Sequence, residues 1–149
     1  MKRFNFSLDK VLELRKYREE EAEIELGRAV GELVALEQRL KRLAEDRLLA
    51  AAGRFSPGNA ASDIRSYELY ILRLDKTKEE LLEAAAKAEQ KVEEARGNYL
   101  EASRERKIMD KLKEKRAAEY RRELLAGETK TLDDRQPGTP GGREGIPSN

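Results

Sequence analysis

The sequence predicts an all-α chain: two long helices folded into an antiparallel coiled-coil hairpin, the second longer than the first, followed by a disordered carboxyl-terminal tail. Three observations predict it. From Ala22 to Leu43, the apolar residues Ala22, Leu26, Ala29, Leu33, Leu36, Leu40 and Leu43 recur at alternating steps of four and three, the a/d seam of a coiled coil. A second stripe with the same spacing runs through Ile64, Tyr67, Ile71, Leu74, Lys78, Leu81, Ala85, Ala88, Val92, Ala95, Tyr99, Ala102, Arg106 and Met109. Between them stands Pro57-Gly58-Asn59, a turn signal that combines a fixed proline φ with a glycine free to take positive φ. A two-in-seven stripe cannot close a core on itself, so each helix needs the other.

The first helix is expected over 8–52. Ser7 stands where an N-cap belongs, Asp9 falls in the positively polarised first turn, and Phe6 and Val11 are placed to form a hydrophobic staple. No proline interrupts it. Gly27 and Gly31, four apart beside Ala29, read as a thin layer or soft point and receive no site. Near Ala44 the count slips, bringing Leu40, Ala44, Leu48, Ala51 and Phe55 into line, as an inserted four-residue step would.

The turn is expected over 53–62, with Ser62 and Asp63 restarting a helix over 63–126, so that 1–126 forms the hairpin domain and 127–149 the tail. A turn centred near Pro57 pairs residues whose numbers sum to about 114, setting Leu43 against Ile71, Leu40 against Leu74, Ala29 against Ala85 and Ala22 against Val92. Lys78 then faces Leu36 and Arg106 faces Leu8, tolerable where their stems snorkel. By length the second helix overhangs the first, and the overhang from about Lys107 has too few large side chains to be stable alone in water.

Composition narrows the functions. Charged residues make up 41% of 149, aromatics 5%, and mean hydropathy is −0.84, which suits an elongated helical protein better than a multilayer core. Net charge is +1, so the whole chain has no field that recruits nucleic acid or membrane. With neither cysteine nor histidine, thiolate chemistry, imidazole bases and the usual zinc sites are excluded. No apolar run approaches the roughly 20 residues of a membrane span, and Phe4-Asn5-Phe6-Ser7-Leu8-Asp9 is no signal-peptide core, which places the chain in the cytoplasm with no direct membrane insertion. The run Glu19-Glu20-Glu21, Glu23, Glu25 lies on a continuous helix without a cation-binding loop and reads as a solvated face. No phosphate-binding glycine loop and no nucleophile with an adjacent base is present. The expectation is a non-enzyme with no catalytic residue, metal or cofactor.

Two regions carry apolar side chains off the seam. Near the turn these are Leu48, Leu49, Leu69, Tyr70 and Leu72, a partner surface unless the slip at Ala44 turns Leu48 inward. At the other end, residues 103–126 hold nine basic against five acidic side chains; the interleaved carboxylates argue for a solvated face rather than a nucleic-acid stripe.

Phe4-x-Phe6-x-Leu8-x-x-Val11-Leu12-x-x-Arg15, a charged helix, a Pro-Gly turn, and Tyr67-x-x-Tyr70-Ile71-x-x-Leu74 together resemble the FliJ family of flagellar type III export proteins. The resemblance covers about residues 4–126. It implies a cytoplasmic stalk, peripherally associated with the inner-membrane export apparatus, that enters a hexameric flagellar export ATPase and reaches an integral-membrane export-gate protein; shuttling of export chaperones is a further property of the family. It carries the gate-facing segment onto Tyr70 and Leu74, and the off-seam Leu69 and Leu72 beside them are expected to join it; the ATPase-facing tip is expected at Phe4, Phe6, Leu8, Val11, Leu12, Arg15, Ile108, Met109, Leu112 and Arg116, where exposed aromatics meet an unsupported basic helix. Rival classes are a generic coiled-coil scaffold or chaperone, including the equivalent stalk of a virulence secretion system, and a nucleic-acid- or ribosome-associated hairpin.

Overall fold

A computed structural model describes residues 3–135, and within them the chain is two α-helices, α1 over Asp9–Gly53 and α2 over Ala61–Arg135. At 1.5 Å per residue these are about 68 Å and about 112 Å long. They pack against each other as an antiparallel hairpin, as the two stripes require.

The start of α1 differs from expectation. Leu8, not Ser7, is the N-cap, and it makes no side-chain cap bond. The Asp9 amide donates to Phe6 O at 3.1 Å, and the Ser7 hydroxyl accepts instead from Arg116 Nη1 of α2 at 3.1 Å. The expected staple is likewise replaced by packing between helices: Phe6 is buried while Val11 stays exposed.

The α1 carboxyl end closes without a left-handed glycine. Arg54 keeps helical dihedrals and donates to Ala50 O, and Asn59 Nδ2 donates to the Gly53 carbonyl at 2.8 Å, satisfying one of the last free acceptors. Gly58 takes φ +90°, which a Cβ would strain. α2 then begins at Ala61 rather than Asp63. Ala60 is its cap, and the Asp63 carboxylate, at the third helical position, accepts from the Ala60 amide at 3.0 Å, one arm of a capping box.

The expected end of α2 at Ala126 is also corrected. Helix continues through Gly127 to Arg135, because one interior glycine costs only about 1 kcal/mol and the following residues include good helix formers. The Thr129 and Thr131 hydroxyls donate to Leu125 O and Gly127 O within the helix. The remaining stretch of the expected tail, 136–149, lies outside the described residues.

Two features of the pairing depart from the sequence reading. The seam does not slip at Ala44. Leu43 and Ala50 are buried while Ala44, Leu48 and Phe55 are exposed, so the a/d count passes straight through Arg47. And the register is one heptad further than the symmetric turn implied. Cross-helix partners sum to 120 for Arg15 with Glu105, 122 for Arg47 with Asp75 and for Lys113 with Asp9, 123 for Glu32 with Lys91, and 125 for Glu19 with Arg106, whose long side chain reaches a turn along. A sum near 121 sets Ala50 level with Ile71, Leu40 with Leu81, Leu33 with Ala88, Ala29 with Val92, Leu26 with Ala95 and Leu12 with Met109. From Leu33 with Ala88 to Leu26 with Ala95 each layer sets one large residue against one small one, which lets the two rows interdigitate there. The loop is therefore asymmetric: α2 begins about seven residues, about 10 Å, beyond the level of Gly53, and residues 54–60 climb alongside it.

Candidate functional site: the two ends of the hairpin and a charged layer between them

At the amino-terminal end, residues 4–12 lie along α2. Phe6 is 3% exposed with the Arg116 guanidinium 5.5 Å above its ring, and Phe4 meets Tyr120 with ring centroids 5.5 Å apart, tilted 44°. The amphipathic arm thus covers a part of α2 that sequence reading left unsupported. Lys113 Nζ donates to the Asp9 carboxylate at 2.8 Å, tying the first turn of α1 to the same stretch.

Of the ten residues expected at this tip, Phe6 and Leu12 are buried, and Phe4, Leu8, Met109, Leu112 and Arg116 are half-buried in the packing of arm on helix. Val11 and Ile108 are exposed, Ile108 at 59%, and could touch a partner directly. Arg15 is engaged across the seam with Glu105. Beyond Tyr120 α2 has no partner helix among the described residues, and Leu125 and Leu132 stand exposed on it.

At the turn end Leu69, Tyr70 and Leu72 are exposed, as their off-seam positions predict, whereas Leu74 is half-buried because it lies on the seam. Leu48 and Leu49 join them on α1, Leu48 at 73%, which resolves its open placement in favour of solvent. Phe55 was missed. Counted into a slipped seam, it is instead 73% exposed beside the loop, with the Arg54 guanidinium 4.5 Å from its ring centroid. In the observed register Leu49 stands level with Leu72, and Leu48 with Arg73, so these side chains share about three turns of the hairpin. The Arg47–Asp75 pair crosses at the same height, Nε to Oδ1 at 2.6 Å, and holds the Asp75 carboxyl below its ordinary pKa.

Between the tip and the apolar middle lies a charged layer that the sequence reading did not find. Arg106 donates through Nε and Nη2 to the Glu19 carboxylate and through Nη1 to Asp110 at 2.7 Å; Arg15 donates to Glu105 beside it. The Arg106 and Glu19 side chains are only 26% and 15% exposed, so Glu19 is no part of a solvated face and Arg106 does not snorkel past Leu8. The Glu19 hydrogen bond, then that of Asp110, pushes the guanidinium above its ordinary pKa, keeping it a cation. The signal was available: carried back from Ala22, the steps of three and four fall on Glu19, Arg15, Leu12 and Leu8.

Among the described residues no group of three or more His, Cys, Asp or Glu side chains could hold a metal ion, and no helix is long and apolar enough to cross a membrane. No curated protein and no solved structure matches the chain. The family model described as flagellar FliJ protein matches residues 4–136, nearly its whole length. With the hairpin, its paired aromatic arm and its exposed turn, that match places the chain in the flagellar FliJ family.

Proposed function

We propose that this chain, a component of the flagellar protein export apparatus by its family, is a non-catalytic stalk that joins the hexameric export ATPase at its amino-terminal tip to the membrane export gate at its turn end. The observation that supports the reading is that exposed apolar groups stand at both ends of the rod. Leu48, Leu49, Phe55, Leu69 and Leu72 lie at one end and Val11, Ile108, Leu125 and Leu132 at the other, while Tyr17, Ile24, Val30, Val34, Leu82 and Leu100 are exposed singly along the length between them. Exposed apolar clusters on a soluble surface mark partner contacts, and a rod with one at each end suits a bridge.

In this reading the tip contacts fall on Val11, Ile108 and the unpartnered end of α2, while Phe6, Leu12 and Arg116 hold the arm in place. The gate-facing contacts fall on Leu69, Tyr70 and Leu72, with Leu74 supporting them from the seam. Escort of export chaperones would use the same exposed ends. The test is co-purification of the tagged full chain with the cell's own export ATPase. Recovery of the ATPase with the intact chain, and its loss when residues 121–135 are removed, is the expected result. Failure of the intact chain to recover it would favour a generic scaffold.

A further inference from the structure

We propose that the Arg15–Glu105 and Glu19–Arg106–Asp110 layer is a register latch, which selects one of two pairings of α1 and α2 that the apolar seam by itself tolerates.

The two pairings differ by one heptad. In the observed one the middle layers are Leu40 with Leu81, Leu36 with Ala85, Leu33 with Ala88, Ala29 with Val92 and Leu26 with Ala95. Sliding α1 by seven residues toward the turn gives Leu40 with Leu74, Leu33 with Leu81, Ala29 with Ala85, Leu26 with Ala88 and Ala22 with Val92. Each pairing sets apolar against apolar through this stretch, and each has one lysine layer, Lys78 facing Leu43 in the first and Leu36 in the second. A repeat of seven is unchanged by a shift of seven, so burial in these layers discriminates only through the match of large with small.

The charged layer is not periodic in this way. Observed, Arg106 is level with Arg15, and the two guanidiniums are neutralised across the helices because Arg106 reaches one turn along to Glu19 and Arg15 reaches Glu105. After the slide Arg106 faces Leu8, Glu19 faces Ala95, and Glu105 comes level with Asp9, a like charge; the Lys113–Asp9 pair is lost as well. One pairing gives Arg15, Glu19 and Glu105 their partners across the helices and the other removes them, leaving Arg106 only Asp110 of its own helix, a use of interior polar groups that fixes register in coiled coils. The seven loop residues between Gly53 and Ala61 accommodate either pairing, since the slid one brings the two helix ends level.

The slide has a consequence at the tip. It withdraws the amino-terminal arm by about 10 Å along α2, separating Phe6 from Arg116 and Phe4 from Tyr120 and baring another seven residues of α2. The latch therefore decides how much of α2 is open to a partner at that end, and it links that exposure to the position of the turn.

Cysteine pairs read the register in the full chain, which has no cysteine of its own. A disulfide needs Cα atoms within about 7 Å, and residues 85 and 92 are about 10 Å apart on α2, so one pairing cannot close both bridges. With Ala29→Cys/Val92→Cys the otherwise native chain should crosslink within one molecule, and with Ala29→Cys/Ala85→Cys it should not. Adding Arg15→Leu, Glu19→Leu and Arg106→Leu with Glu105→Gln, which removes the whole layer and leaves the seam apolar and able to fold, should raise the 29–85 crosslink about tenfold or more at the expense of 29–92. The exchange Glu19→Arg with Arg106→Glu should return the chain to 29–92 alone. If the variant without the layer stays helical and still closes only 29–92, the register is set elsewhere in the hairpin and the latch is refuted. Loss of helical circular dichroism in that variant would refute it too, since the charges would then be needed to fold and not to choose.

Discussion

The ring of Tyr67 lies 3.3 Å from the point where a Cβ on Gly53 would stand. That contact marks the height at which α1 ends against α2, and it makes Gly53 unlike the other helical glycines. Gly27 and Gly31 have open space around the same point. Gly27→Ala and Gly31→Ala should each therefore raise stability by about 0.5–1 kcal/mol through backbone entropy. Gly53→Leu should lower it by about 1 kcal/mol or more, because the ring must leave its place. Thermal unfolding followed by circular dichroism separates the two signs, and a stabilised Gly53→Leu variant would mean that Tyr67 does not pack there.

The Arg47–Asp75 pair predicts a pH dependence. Its guanidinium, hydrogen-bonded to the carboxylate, holds Asp75 below the ordinary 3.8, with Lys78 adding to the effect. A carboxyl whose pKa is lower folded than unfolded binds fewer protons when folded. Its contribution is thus complete above the ordinary value and disappears as pH falls through the folded one. Asp75→Asn should melt slightly below the native chain at neutral pH and converge with it in acid. A gap that is constant from neutral to acid pH would show that the pair contributes packing and not charge.

Both helices and their antiparallel pairing were legible because their seams repeat over many turns and a Pro-Gly turn separates them. Other features were not, for physical reasons tied to particular residues. The register misread follows from the repeat itself: Ala29 fits Ala85 and Val92 alike, and only side-chain size, the loop and the charges distinguish them. Arg15, expected at the tip, and Glu19, expected on a solvated face, are not legible as seam residues because charged residues at a and d positions do not register in an apolar count, although their spacing is continuous with Ala22. Leu48 and Phe55 suggested a slipped seam because they are apolar. They are exposed, and the residues on the seam at that height are Arg47 and Ala50. At the candidate site, the exposure of Leu69, Tyr70 and Leu72 followed from heptad position, whereas the burial of Phe6 depended on an arm conformation that no periodicity describes.

That arm can be tested apart from the rest of the rod. Phe6 is buried beneath Arg116 at the open end of the hairpin, so removing its ring should release residues 4–8 and not unfold the middle. Phe6→Ala should cost about 2–3 kcal/mol locally, less than a central phenylalanine because the arm can fray. Hydrogen exchange should show faster amides in 9–12 and 113–120 and unchanged protection around Ala85 and Ala88. Uniform loss of protection along both helices would instead make the arm part of one cooperative unit.

The turn end carries the sharpest separation of stability from binding. Leu72 is exposed and Tyr70 is open to solvent on one side, whereas Ile71 between them is buried. Tyr70→Ala with Leu72→Ala should therefore change stability by about 0.5 kcal/mol each at most, and Ile71→Ala by about 2 kcal/mol or more. If the exposed pair forms the gate-facing contact, the double variant should keep its melting temperature and its co-purification with the export ATPase while losing association with the membrane export gate and the export of filament protein. Adding Leu48→Ser and Phe55→Ser, at the same end but on α1 and the loop, should deepen the loss if the partner spans both sides of the hairpin, and should add nothing if it reads α2 alone. A double variant that keeps both partners would remove Tyr70 and Leu72 from the gate-facing surface, whereas one that melts early would show that these side chains close the end of the hairpin.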